Sequence, residues 1–368
     1  MRVLFYHPTP EWTGGARAFA AAARGLAARG YQVTVVCSPD SPAEERLGGG
    51  DFETVAEAVP GRGWMQEGLA LRRTVLDRFV EVVFVHSERE HLAAAFAVRA
   101  AERGAVVRRT PAGEDLNAGP RSRLASRLAA SGFLFTTPGE VQRARLPARA
   151  MEPVTADLGV NAAAHAHVRP ASPSAFGASA TATYSHLLVC VCDASSRGSA
   201  ATALRTAAML LPRHPELRVM LVGPGSDHED ARMHAAALGI ATTVSMLGER
   251  DDALSVLRAA TLGWVIADGD AGAFGALDIM ALGIPVLAAR ASVAARYVAD
   301  GISGVLLPPG DAPASAAAVA SLLAHPDRQD RMGAAGRMRV AREFTETAMV
   351  DGFQRAAEAA RDRTRWVV

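Results

Sequence analysis

Two aspartates, Asp270 and Asp278, stand eight positions apart in GDAGAFGALDIMALGIPVLA (269–288), which reads as a small-residue turn, a short apolar helix, a glycine stop and an apolar strand. That pattern puts Asp270 in the turn and Asp278 inside the helix, where either carboxylate could accept a hydrogen bond from a sugar or ribose hydroxyl. Capping and the helix dipole account for an acid near a helix start equally well. Three further loops suit a phosphorylated ligand. In EWTGGARAF (11–19), Gly14 and Gly15 let bare backbone approach a ligand at a helix N-terminus, and a plain turn fits as well. In LVGPGSDHED (221–230), Gly223 and Gly225 end an apolar strand before a helix, with the same two readings. In CDASSRGSA (192–200), Arg197 and the amides near Ser195, Ser196 and Gly198 form a candidate anion site, against the alternative of a solvated arginine.

The elements that would hold these loops follow from the apolar runs. Strands are expected at 2–8, 32–38, 81–87, 105–111 and 132–138, with a helix over 16–29 closed by Gly30. A second series is expected at 186–193, 217–225, 243–249, 262–268, 284–290 and 303–309. Val-, Leu- and Phe-rich runs alternating with Ala/Arg helices are the pattern of a parallel sheet covered on both faces, so the fold class is α/β. Residues 162–185, rich in Ala, Ser and Pro and nearly free of charge, read as a linker or surface loop. The division expected is an acceptor-side domain at 1–161, that linker, a nucleotide-sugar-side domain at 186–342, and a C-terminal helix at 343–368 packing back across both. Two Rossmann-like, doubly wound domains facing across a cleft would bind ligands beyond the carboxyl ends of their strands.

Composition narrows the partners. All 39 basic residues are arginine, and the net charge is only +1. Residues 1–161 hold 20 arginines against 18 acids and residues 162–368 hold 19 against 20, an even spread that argues against nucleic acid. Cys37, Cys190 and Cys192 are too few for a disulfide framework, which fits a reducing cytoplasm. No metal site or cofactor is expected. No run approaches the length that spans a bilayer, and the N-terminus reads as a strand without a signal-peptide core, so the chain is expected to be cytoplasmic, peripheral at most. The contact for a peripheral association at the inner membrane face would be PRSRLASRLAAS (120–131), with three arginines, no acid, and Leu124 and Leu128 on one face. A solvated helix whose leucines pack on its own sheet is the alternative.

Taken in order, the segments TGGARAFAAAARGLAARGYQVTVV, GVN at 159–161, RGSAATALRTAAMLLPRHPELRVMLVGPGS, and DIMALGIPVLA followed by DGISGVLLPPGD resemble a family 4 glycosyltransferase of the GT-B fold. The resemblance implies metal-independent, retaining transfer from a nucleotide-diphosphate sugar held by the second domain to an acceptor held by the first. It also assigns roles. Of the family's arginine and lysine, five apart, which neutralise the diphosphate, the second position is Arg197 and the first is Cys192. The family's paired glutamates are here Asp270 and Asp278, each one methylene shorter, a withdrawal of about 1.3 Å where geometry counts in fractions of an ångström. Its Gly-Phe-Gly after the first acid is displaced, with Ala271, Gly272 and Ala273 preceding Phe274 and Gly275. Its Thr-x-His is here Thr110, Pro111 and Ala112, while His86 in FVHSE matches a different position, as a cleft-lining or packed histidine.

The altered positions Ala112, Cys192, Asp270 and Asp278 therefore imply a GT-B protein with little or no sugar transfer, serving as an accessory subunit of a larger assembly with protein partners. No catalytic residue is assigned. The nucleotide-sugar candidates are Gly14, Gly15, Arg197, Gly223, Gly225, Asp270, Gly272 and Asp278. The alternative is an active transferase using Arg197 and Asp278, on a lipid, polysaccharide or small-molecule acceptor. An epimerase or phosphorylase of the same fold is a third.

Overall fold

The computed structural model describes residues 1–48, 50–57, 63–117, 119–172 and 185–364. It comprises two compact units, one of Met1–Leu158 with Glu346–Val368, the other of Gly159–Thr345. The first unit runs β1 (Arg2–His7), α1 (Gly14–Ala28), β2 (Gln32–Cys37), α2 (Pro42–Leu47), β3 (Glu53–Ala56), α3 (Trp64–Asp77), β4 (Val82–Val85), α4 (Glu88–Ala100), β5 (Ala105–Arg109), α5 (Pro120–Leu128), β6 (Ser131–Phe135), α6 (Pro138–Arg143) and β7 (Val154–Thr155). Its seven strands lie in the order β3-β2-β1-β4-β5-β6-β7, so the winding reverses between β1 and β4. The pairings are parallel, Val3 facing Val33 on one side and Val82 on the other.

Local chemistry sets the starts of the helices that follow these strands. The Thr13 hydroxyl accepts the Ala16 amide at 3.1 Å and opens α1, which buries Ala18 to Ala23 against the sheet. Ser87 and Glu90 form a capping box that starts α4, and Thr137 and Glu140 form another at α6.

The second unit runs α7 (Ala162–Ala166), β8 (His186–Val191), α8 (Arg197–Leu210), β9 (Leu217–Val222), α9 (Glu229–Ala237), β10 (Val244–Met246), α10 (Ala253–Arg258), β11 (Leu262–Val265), α11 (Gly269–Ala281), β12 (Val286–Ala289), β13 (Gly304–Leu307), α12 (Ala312–Leu323) and α13 (Pro326–Glu343). Its sheet order is β10-β9-β8-β11-β12-β13, again all parallel, with the reversal between β8 and β11. Helix α11 is buried from Gly272 to Ala281. It seats closely because Gly263 of β11 has no side chain: a Cβ there would lie 2.7 Å from Ile279. The last helix, α14 (Glu346–Thr364), belongs to the first unit, where Phe353 joins the ring cluster of Phe5, Phe19 and Phe84.

Parallel α/β class and strand positions agree with the sequence reading, while several boundaries do not. The expected linker 162–185 opens with α7, and its residues 173–184 lie outside the described residues. The expected C-terminal helix over 343–368 is in fact the end of α13, a break at Phe344 and Thr345, and α14, with 365–368 outside the described residues. Strands β3 and β7 carry no apolar run and were not expected. The stretch GDAGAFG is not a turn: Asp270 stands in the first turn of α11, which begins at Gly269. Burial against β8 and β11 overrides the low helix propensity of its three glycines.

Candidate functional site

In the second unit the loops after β8 and β11 meet at the reversal of the sheet, where an open α/β fold binds ligands. They are joined by an aspartate that sequence reasoning missed. Asp193 Oδ1 accepts from the Ser195 amide and hydroxyl and from the Ser196 hydroxyl at 2.6–2.9 Å, and Oδ2 accepts the Asp268 amide at 3.0 Å. Asp268 Oδ1 in turn accepts the Val293 amide at 3.1 Å, tying in the loop after β12. The signal was present as an aspartate closing each of two apolar runs, VCVCD and WVIAD.

Cys192, Arg197 and Gly225 come together around a cavity of about 190 Å³ that also takes in His228 and His234. The Cys192 side chain belongs to the apolar core, and its thiol, pushed up to about 12 by burial, lies 3.7 Å from the Cys190 carbonyl. It is therefore a neutral weak donor where the resemblance places a guanidinium. Arg197 is extended, with Nη2 3.3 Å from His228 Nε2 and Nη1 3.7 Å from Asp230 Oδ2 at the start of α9.

The two glycines serve the backbone of this corner. Gly223 has φ +114°, and the Cys192 carbonyl occupies the place its side chain would need. Gly225 has φ +77°, with Ala194 Cα 3.3 Å from its Cβ position. On that side each glycine faces the loop after β8, so the tight-turn reading accounts for both.

The α11 candidates point inward. Asp270 and Asp278 are 7% and 4% exposed. Asp278 Oδ1 lies 2.8 Å from His165 Nε2, and His165 Nδ1 lies 2.8 Å from the Asn161 carbonyl. A carbonyl only accepts, so Nδ1 carries a proton, and the Nε2 to Oδ1 contact needs a second one shared between histidine and carboxyl. The position expected to meet a ribose is thus closed by α7, inside the segment read as linker. At Gly272, one of the nucleotide-sugar candidates, a Cβ would lie 2.5 Å from the Ala267 carbonyl, so the missing side chain lets α11 approach the chain that leaves β11. A larger cavity of about 310 Å³ lies beside the same reversal, lined by Thr202 of α8, Trp264, Asp268, Ser292 and Pro308 among others; of the candidate residues it takes in Gly198 of the anion-site loop.

In the first unit, Gly15 abuts His86: a Cβ there would lie 3.1 Å from Nε2. His86 follows β4 and stacks on Phe19 of α1 with ring centroids 3.6 Å apart. Burial, then the charge of Arg109 and the neighbouring His7, hold its pKa well below the usual imidazole range. It is a packed, neutral ring, and neither nitrogen reaches a hydrogen-bond partner, although the Gly15 backbone lies close enough to favour the proton slightly. His7, Thr110 and Thr136, at the ends of β1, β5 and β6, are likewise buried with side-chain polar atoms lacking partners. Together these four make a row across adjacent strand ends, β1-β4-β5-β6, that the sequence marks only as a His or Thr closing each apolar run. Ala112, 2% exposed just beyond β5, offers no side-chain polar group. Among the described residues no three His, Cys, Asp or Glu side chains converge as metal ligands, and no helix is long and apolar enough to cross a membrane.

Comparison with known proteins matches each half of the chain separately. Residues 13–158 match the profile of the glycosyl transferase 4-like domain, and residues 187–339 that of glycosyl transferases group 1. A D-inositol 3-phosphate glycosyltransferase of Segniliparus rotundus is 33% identical over 163 residues, 43% of this chain, and a second from Catenulispora acidiphila is 35% identical over 172 residues, also 43%. The match spans only 36% and 40% of the length of those two relatives. Among solved structures, a glycosyltransferase from Rickettsia africae superposes with a TM-score of 0.77 at 13% identity over 97% of both chains. Anabaena HepE in complex with UDP and glucose gives 0.75 at 16% identity, over 97% of this chain and 99% of that one. These likenesses carry the GT-B fold, and with a glycosyltransferase profile on each half the chain belongs to the family 4 glycosyltransferases.

Proposed function

We propose that this chain is a glycosyltransferase-like GT-B protein with little or no sugar transfer, acting as an accessory subunit of a larger assembly. The observation that carries the reading is Asp278, whose carboxylate is engaged by His165 inside the second unit and is 4% exposed. In the second unit Cys192 supplies a neutral thiol where the resemblance places a fixed charge for a diphosphate, and in the first unit Ala112 supplies a methyl where it places a histidine for the donor sugar. Losing one preorganised donor to a departing anion costs about 100 to 1,000 fold in rate, and these losses act on the same step. A fold of this size is readily reused for binding once its chemistry has gone.

An active transferase is the second reading. The solvent-accessible Arg197 and the open cavity of about 310 Å³ beside the sheet reversal favour it, as do relatives that are named glycosyltransferases. Calorimetric titration of the full chain with UDP-, GDP- and ADP-sugars separates the two, with no heat of binding expected across the series. Isolation of the native protein tests the accessory role, which expects a stable stoichiometric complex and is contradicted by a lone monomer.

A further inference from the structure

The cavity of about 310 Å³ in the second unit takes in no residue to which the resemblance gives a role, and its walls are unlike those of an anion site. Trp264, Ile266 and Asp268, alternate residues at the end of β11 and beyond it, all line it. They grade from floor to mouth. Trp264 is 4% and Ile266 6% exposed, both in the apolar core that also holds Leu307, whereas Asp268 is exposed, as are Ser199, Pro308 and Gly310 on the rim.

Among the described residues that line the cavity, none is a cation. Its charged side chain, Asp268, uses Oδ1 on the Val293 amide at 3.1 Å, and Oδ2 has no partner among the described residues. Three of its four hydroxyls have already donated their protons: Thr202 to the Gly198 carbonyl at 3.3 Å, Ser292 to the Ala289 carbonyl at 2.7 Å and Ser315 to the Asp311 carbonyl at 2.7 Å. To a ligand these groups offer lone pairs. Arg205 donates to the Thr202 oxygen at 3.0 Å but is not on the cavity wall. A second carboxylate, Asp193, accepts the Asp268 amide at 3.0 Å and adds negative potential at the mouth. The same carboxylate accepts the Ser195 amide at 2.9 Å, so the positive end of α8, which would draw an anion, is already answered.

We propose that this cavity binds a small primary amine, with its ammonium group at Asp268 and its alkyl body against Trp264, Ile266 and Leu307. An ammonium carries three donors and no acceptor, which matches walls of oxygen lone pairs and a carboxylate. A phosphate fits less well, because no guanidinium or imidazole on the described walls would neutralise it. The proposal goes beyond the accessory reading and does not depend on whether the chain transfers sugar.

The test is calorimetric titration of the full chain, at about pH 7 and low salt, with three ligands of one shape: isoamylamine, isoamyl alcohol and isovalerate. The amine is expected to bind with a dissociation constant on the order of 1 mM, about tenfold tighter than the alcohol, and the carboxylate not to bind. Asp268→Asn keeps an oxygen for the Val293 amide and removes the charge, so it is expected to erase the advantage of the amine while the alcohol still binds. Trp264→Phe is expected to weaken amine and alcohol alike, and Asp330→Asn, at an exposed acid of α13, to leave both unchanged. Equal affinity for amine and alcohol overturns the proposal, as does an amine preference that Asp268→Asn retains or tighter binding of the carboxylate. Should Asp268→Asn fold poorly, the ranking of the three ligands by the unaltered chain still decides, together with the fall of the amine's advantage in about 1 M salt.

Discussion

At Asp278 the shorter acid meets a histidine of α7 instead of solvent, and both side chains are 6% exposed. Removing one member leaves the other buried with an unmade hydrogen bond. His165→Ala is therefore expected to destabilise the second unit by about 3 kcal/mol, read from urea unfolding. The double variant His165→Ala with Asp278→Ala is expected to cost less than the sum of the single changes, because no orphaned charge remains. An additive result would mean that the pair is not coupled. The cysteines give a second check. Burial raises Cys37 to about 11 and Cys192 to about 12, and holds Cys190 well above the usual thiol range. Only the thiolate reacts, so the native protein is expected to show no rapidly labelled thiol with a disulfide reagent at pH 8, and three after unfolding. A fast thiol in the native state would contradict the placement of Cys192 in the core.

At the scale of elements, the buried histidines of the first unit set its response to acid. Burial lowers His91, on α4, to about 3, while His91 Nε2 lies 2.9 Å from the Ser131 hydroxyl of β6. His7 and His86 are lowered in the same direction. The unfolded chain takes up these protons as pH falls through about 6.5, and the folded chain resists, so stability is present above that value and is lost on acidification. His91 alone is expected to cost about 2 kcal/mol between pH 6.5 and pH 5. Unfolding followed by Trp64 fluorescence would detect it, and His91→Gln should flatten the pH dependence; a curve unchanged in that variant contradicts the assignment. The strand ends holding these groups were legible as apolar runs because both faces of a parallel sheet are covered. The edge strands β3 and β7 were not, being half-exposed and short. The start of α11 was not legible either, since Gly and Ala in GDAGAFG read locally as a turn, and only packing on Val191 and Ala267 makes it a helix. The partner of Asp278 lies 113 positions earlier in the chain, beyond the reach of any local pattern.

For the molecule as a whole, the two units keep what the fold requires, and the proposed loss of transfer rests on the positions where the sequence departs from what the resemblance implies. The glycines at 15, 223, 225 and 272 are each explained by a close approach of protein to protein, with no ligand invoked. Fold-bearing positions of this kind can persist whatever stands at Ala112, Cys192, Asp270 and Asp278, which is why the resemblance is readable over nearly the whole sequence while activity has to be measured. The central claim is that sugar transfer is absent or nearly so. The direct measurement is release of nucleoside diphosphate from UDP-, GDP- and ADP-glucose by the full chain, alone and with a crude acceptor extract. The account predicts release no faster than in protein-free controls. Sustained release over many turnovers, lost on Asp270→Asn or Arg197→Gln, would contradict it.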